Sequence, residues 1–200
     1  MKLYYSPGAC SLSPHIVALE ADLPLTLEKT DLASKKTASG QDFTAINPKG
    51  YVPALQLDDG TLLTEGPAIV QFLADKAPGA KLIPAAGTLE RYRVLEWLNY
   101  ISTELHKSFS PLFNPTTTDA RKQEVKEYLA KRFGIVSAQL GKTPFITGDQ
   151  FSVADAYLFT VLSWARYVNV ELPQPLQDYV GRVFQRPAVQ QALKEEGLIK

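Results

Sequence analysis

The feature that most constrains the fold is a change of pattern near residue 77: strand and helix signals alternate before it, and only helical spacing remains after it. Residues 3–5 form a short apolar run, followed by a Pro7-Gly8 turn and by Ile16, Val17 and Leu19 at helical spacing. Residues 25–30 read as a second strand. Residues 52–57 and 61–63 flank Asp58-Asp59-Gly60, a turn that favours two antiparallel strands. A further helix starts at Gly66. From 77 to 87 the chain turns to Ala, Pro, Gly and Lys, which ends that helix and reads as a linker. Residues 89–108, 119–140, 153–168, 176–185 and 188–195 then carry helical spacing. The predicted organisation is an α/β domain over 1–77, a linker over 78–87 and an all-helical domain over 88–200.

Charge narrows the partners. Lys and Arg number 21 against 21 Asp and Glu, so no strong field would gather nucleic acid or an anionic membrane. No run approaches the ~20 apolar residues of a membrane span, and the first apolar stretch stops at Pro7, short of a secretory leader. The single cysteine excludes an internal disulfide, and with only His15 and His106 beside it the ligands are too few for structural zinc. A reduced, cytoplasmic setting is the expectation.

Three local features carry chemistry. Cys10 falls where the first helix should begin, and unpaired N–H groups there favour a thiolate of lowered pKa; a small buried core residue is the competing reading. In Asn47-Pro-Lys-Gly-Tyr-Val-Pro53 a proline opens a strand, which suggests a cis bond or an edge and leaves the Val52 backbone available to an extended peptide; an ordinary turn is the alternative. Thr64-Glu65-Gly66-Pro67 reads as a helix start that binds a carboxylate through backbone N–H groups, with Glu65 beside it for an ammonium group. A thiol, a strand-opening proline and such a helix start in one α/β unit suggest a site for a thiol peptide.

In the helical half, Ser152-Val-Ala-Asp155 is a capping box with a structural role. On the helix from Leu89, Leu98, Ile101 and Leu105 form an apolar stripe, and Asn99, Thr103 and His106 lie beside it on a face that lines a cleft or meets solvent. Tyr92, Trp97 and Tyr100 exceed what one bundle core needs, which predicts a homodimer.

The order Cys10, Val52-Pro53, Glu65-Gly66, linker, helices, Ser152-x-x-Asp155 resembles the glutathione transferase superfamily, a thioredoxin-like domain followed by an all-α domain. Tyr5-Ser-Pro-Gly-Ala-Cys10, Asn47-Pro-Lys-Gly50, Leu63-Thr-Glu-Gly66, Glu96-Trp-Leu-Asn99 and Glu104-Leu-His-Lys107 are similar to its bacterial beta class, over essentially the whole chain. Residues 31–40 and 107–114 are most like members associated with degradation of biphenyl-type aromatics. The resemblance implies that Cys10 faces the sulfur of glutathione, the co-substrate, and can form a mixed disulfide with it, with His106 and Lys107 nearby. It implies Lys35 on the glycyl carboxylate, Val52 pairing its main chain with the cysteinyl part beside Pro53, and Glu65 with the Gly66 N–H on the γ-glutamyl end. Asn99, Thr103 and Glu104 would complete the site, some from a neighbouring subunit. Most of the superfamily has serine where Gly66 stands. Other classes use an N-terminal tyrosine or serine, so Tyr5 and Ser6 are also candidates. Phe109, Phe113, Trp164 and Tyr167 would line a pocket for a small electrophile, or serve as plain core.

The activity so implied is conjugation of the glutathione thiol to electrophiles, halogenated aromatics among them, with thiol exchange through Cys10. Glutaredoxin-like disulfide exchange and non-catalytic glutathione binding are the alternatives.

Overall fold

Leu3 and Tyr4 are both buried yet point to opposite sides of one strand, so β1 (Lys2–Tyr5) must be covered on both faces. In the computed structural model, which describes residues 1–200, β1 is the centre of a five-stranded sheet. Helix α1 (Leu12–Glu20) leads to β2 (Thr26–Asp31), parallel to β1 with Leu3 opposite Leu27. Strands β4 (Ala54–Gln56) and β5 (Leu62–Thr64) follow antiparallel on the other side, Leu55 pairing with both Leu3 and Leu63. The predicted hairpin forms, and Gly60 at φ 86° takes the left-handed position its turn requires.

On one face α1 packs on α3 (Gly66–Lys76), burying Ile16, Val17, Ile69 and Leu73. On the other, Tyr4 meets Phe43 of the short α2 (Phe43–Ile46) at 5.6 Å between rings, together with Val52 and Ala54. Residues 31–46, between the strands read from sequence, contain α2 and the two-residue edge strand β3 (Lys36–Thr37). Elements this short have no period to read.

The chain divides into two compact units, Met1–Ile83 with Gln185–Lys200, and Pro84–Phe184. The last stretch of the chain, assigned from sequence to the helical half, packs with the first unit. There α9 (Pro187–Glu195) lies against α1, and Arg186 grips Glu20 with Nε–Oε1 2.5 Å and Nη2–Oε2 2.7 Å. Helical spacing reveals a helix but not its neighbour, which here is chosen by polar pairs distant in sequence.

The second unit is helical: α4 (Leu89–Tyr100), a π-helical segment Ile101–His106, α5 (Lys107–Phe113), α6 (Asp119–Leu140), α7 (Val153–Leu162) running into a 3₁₀ turn Ser163–Tyr167, and α8 (Gln174–Phe184). All ten residues of α7 are buried, as an all-round apolar helix must be, against α4, the π segment and α8. Asp155 holds its start by accepting from Ser152 N (2.9 Å), Ser152 Oγ (2.8 Å), Ile146 N (2.8 Å) and Tyr179 Oη (2.9 Å). The capping box is structural, as expected. The continuous helix predicted over 89–108 is instead re-phased by the π segment, a wider turn of the kind often found at functional sites. No helix is long and apolar enough to cross a membrane.

Candidate functional site

Cys10 sits in the turn between β1 and α1, just before the α1 N-cap Ser11. Its half-buried thiol donates to the Val52 carbonyl at 3.1 Å. The Val52–Pro53 bond is cis, as the strand-opening proline suggested, and Val52 lies ahead of the β4 ladder. Its carbonyl already accepts the thiol, which corrects the expectation of a wholly available Val52 backbone. Pro53 Cγ stands 3.8 Å from the point a Cβ on Gly66 would occupy, and the Glu65 charge reaches Cys10. The first unit therefore gathers the three predicted features, the thiol, the proline segment and the start of α3.

That segment is held by buried Asn47, whose Nδ2 donates to Tyr51 O at 2.8 Å and whose Oδ1 accepts from Lys49 N at 3.2 Å. Lys35, at φ 58°, reaches it from outside and donates to Gly50 O at 2.7 Å. Glu65 caps α3 at φ 71°, a backbone region costly for a side-chain-bearing residue and one that clusters at ligand sites. Its carboxylate is half-exposed and accepts from Lys49 Nζ at 2.6 Å and Tyr51 Oη at 2.8 Å. Neither partner was singled out in the sequence, since a contact across 14 to 16 residues leaves no periodic trace. A Cβ on Gly66 would meet only ordinary contact, so the fold has room for a serine there.

The thiol does not have the predicted electrostatics. Burial pushes Cys10 from an ordinary 9.0 up to about 12, against the Cys10 and Ser11 N–H groups that pull it down, and Glu65 adds to the rise. A helix terminus is worth only about 0.3–1 kcal/mol, less than one pKa unit, so desolvation wins. In the protein alone Cys10 is a neutral S–H donor. Tyr5 is no readier to ionise: burial and the nearby Glu196 and Glu195 raise its phenol. Ser6 is tied to Ser11 through its backbone, at 3.1 and 3.2 Å.

In the second unit Leu98, Ile101 and Leu105 are buried as predicted, while Asn99, Thr103 and Lys107 are exposed and Thr103 Oγ1 donates to Asn99 O at 3.0 Å. Glu104 takes Tyr128 Oη at 2.5 Å and Arg132 Nε at 2.7 Å. His106 is half-buried, its Nδ1 2.5 Å from Tyr157 Oη and its ring 4.8 Å from that of Trp164. Tyr128, Arg132 and Tyr157 were missed; each looks like an ordinary helix aromatic or charge. Phe109 is fully buried between Phe133 (6.4 Å) and Trp164 (5.8 Å), which removes it from the predicted pocket lining and places it in the core. Phe113 is 50 % exposed and lies edge-on to Trp164 at 6.1 Å, and Tyr167 is 54 % exposed beneath Arg166.

A sheet of this order with a thiol before α1, a cis-proline segment and a capped α3, joined to a helical unit, defines a thioredoxin-like domain with an all-α extension. The family model for the glutathione S-transferase N-terminal domain matches residues 8–76 and that for the C-terminal domain residues 119–188. The chain belongs to the glutathione S-transferase family. It is 50 % identical to glutathione S-transferase GstA of Escherichia coli O157:H7 over 99 % of this chain and all of that one. Among solved structures it is similar to a ternary complex of BphK, a bacterial GST (61 % identity, TM-score 0.97, 99 % of this chain and 100 % of that chain). It is also similar to a sphingomonad glutathione S-transferase complexed with glutathione (45 %, TM-score 0.96, 100 % of both chains). A beta-class enzyme of Sphingomonas chungbukensis matches equally well (45 %, TM-score 0.96, 100 % of both chains). The chain is thus a glutathione transferase of bacterial beta-class type, with glutathione as its co-substrate.

Proposed function

We propose that the first unit binds glutathione through the Cys10, Val52-Pro53 and Glu65-Gly66 cluster and that the enzyme transfers its sulfur to small electrophiles, halogenated aromatics among them. In this reading Glu65 takes the γ-glutamyl ammonium and the first N–H groups of α3, at Gly66, take its carboxylate. Val52 pairs its main chain with the cysteinyl part, and Lys35 binds the glycyl carboxylate. The observation that carries the reading is the strained Glu65 at the head of α3, in electrostatic reach of a thiol that touches Val52.

The Cys10 S–H that donates to Val52 O can turn to donate to a glutathione thiolate, so the bound sulfur is the nucleophile and Cys10 its hydrogen-bond donor. The sulfur–carbon bond forms as halide departs with the bonding pair. We further propose His106 and Lys107 as the groups of the helical unit that serve the reaction, with Asn99, Thr103 and Glu104 as supporting residues. Phe113, Trp164 and Tyr167 would contact the apolar substrate. Homodimerisation, a cytoplasmic location and a detoxifying role belong to the same proposal, as do a glutathione domain over 1–77, a linker over 78–87 and a second-substrate pocket in the helical part of 88–200, whose residues 185–200 pack with the first unit. Tyr92 and Leu89, 59 % and 65 % exposed on α4, support association.

Disulfide exchange is the second reading, for which Cys10, the chain's one thiol, is the only candidate attacking sulfur and would have to lose its proton first. Cys10 would attack glutathione disulfide, forming Cys10–S–S–glutathione and releasing glutathione thiolate. Turnover of a chlorinated nitroaromatic with glutathione, set beside reduction of hydroxyethyl disulfide, separates the two. Conjugation should dominate; absence of both activities would defeat the proposal.

A further inference from the structure

Glu65 is approached by a cation that belongs to the chain itself. Lys49 Nζ donates to Glu65 Oε1 at 2.6 Å and to Thr64 Oγ1 at 2.9 Å, and Tyr51 Oη donates to the same Oε1 at 2.8 Å. A carboxylate oxygen offers about two lone-pair positions, so Lys49 and Tyr51 take both on that oxygen. Neither end of the pair is loosely held. The Lys49 N–H donates to Asn47 Oδ1 at 3.2 Å, and the Glu65 carbonyl accepts from Ala68 N and Ile69 N, each at 3.0 Å. All of these residues belong to the first unit.

We infer that Lys49 is a specificity-determining residue: its ammonium stands in for the γ-glutamyl ammonium on Glu65, so that the site accepts thiol peptides lacking that group at a reduced penalty. This rests on the reading above in which Glu65 receives the γ-glutamyl end of glutathione, and it widens the class of thiol the site takes. An incoming ammonium must take Oε1 from Lys49 or settle beside it, and two cations on one carboxylate repel. Either way Lys49 opposes the amine of the ligand. A peptide without the amine leaves Lys49 in place, so Glu65 keeps a cationic partner instead of being covered and stranded. Both side chains are about half-exposed, which limits the effect to a few fold.

Titration calorimetry of the full protein tests this with S-methylglutathione and its glutaryl counterpart, the same peptide with hydrogen in place of the ammonium. In Lys49→Met, loss of the amine should weaken binding about 10–100-fold, and in the wild type the loss should be about 2–5-fold smaller. S-methylglutathione itself should bind Lys49→Met about 2–5-fold more tightly, and Lys49→Arg, which keeps the cation, should resemble the wild type. An amine of equal, non-zero worth in wild type and Lys49→Met overturns the inference, including the case in which both peptides weaken together. A second measurement needs no variant. The hydrogen bond to Glu65 raises the Lys49 pKa, so S-methylglutathione should speed acetylation of Lys49 by acetic anhydride, whereas the glutaryl peptide should not. Peptide mass spectrometry reads this against the other lysines, and unchanged or slower labelling with S-methylglutathione overturns the inference. An amine of no worth in either protein is a different failure: it removes the γ-glutamyl end from Glu65, and with it the reading on which the role of Lys49 depends.

Discussion

His15 and Glu196, 181 residues apart in sequence, are hydrogen-bonded at 3.1 Å inside the first unit, and both are all but excluded from solvent. His15 Nε2 also meets Glu195 Oε2 at 2.8 Å, and Glu196 accepts from Gly8 N at 2.8 Å. The end of the chain is thus fastened to the turn that carries Cys10. Burial alone would oppose charge on His15, but the hydrogen bonds to Glu196 and Glu195 outweigh it and raise its pKa.

A histidine whose folded pKa is raised stabilises the fold fully below its unfolded value, about 6.5, and loses that contribution as pH climbs through the raised value. The melting temperature should therefore fall on going from pH 6 toward pH 9, with a slope of at most about 1.4 kcal/mol per pH unit from this one proton. His15→Asn should be less stable at pH 6 and show a flatter profile. Parallel profiles for the two proteins in calorimetry would exclude His15 as the source.

Asp155→Ala takes the acceptor from two buried backbone N–H groups, of Ile146 and Ser152, and leaves the Ser152 and Tyr179 hydroxyls with only their second partners, Thr147 Oγ1 and the carbonyl of residue 155. The cap alone is worth about 0.5–2 kcal/mol, and each stranded group about 1–3 kcal/mol, so a loss of about 3 kcal/mol is a conservative expectation. For a chain of this length that lowers the melting temperature by about 6–12 °C. Glutathione affinity of the folded fraction, measured by titration calorimetry, should be retained. An unchanged melting temperature would contradict the role of the box.

The sequence made legible what repeats or turns. Helix α6 runs over Asp119–Leu140, the span its apolar spacing marks, and the 58–60 turn and the Ser152-x-x-Asp155 box each do what their chemistry prescribes. Resemblance supplied the site residues, and the first unit does bring Cys10, Val52 and Glu65 together. What could not be read is long-range and aperiodic: Lys49 and Tyr51 on Glu65, Glu196 on His15 and Gly8, Tyr157 on His106. The Cys10 thiol was misread for a related reason. Its place before a helix is local and visible, whereas the desolvation that dominates it is a property of packing.

With its pKa pushed up to about 12, Cys10 should be alkylated by iodoacetamide at pH 7 more slowly than a free thiol of pKa about 8.5, which carries a few per cent thiolate there. The rate should keep rising beyond pH 9 with no plateau. Mass spectrometry of the modified chain reads this directly, there being one cysteine. A plateau near pH 7 would mean that the helix start outweighs burial after all.

Lys49 and Glu65 give the sharpest test of glutathione binding, because the two substitutions at their contact should differ in size. The pair is about half-exposed on both sides, 46 % and 52 %, and such ion pairs contribute about 0–1 kcal/mol. Lys49→Met therefore removes a partner that a glutathione ammonium would displace, and should change KM for glutathione by no more than about fivefold. Glu65→Gln keeps shape and polarity but removes the charge that an ammonium pairs with, an interaction of about 1.5–3 kcal/mol. That predicts a rise in KM of about 10–100-fold, with the fold preserved because Glu65 faces solvent. Steady-state kinetics with varied glutathione, at constant ionic strength, resolves the difference. Wild-type KM in Glu65→Gln would remove Glu65 from the binding site and leave its strained backbone without a functional explanation.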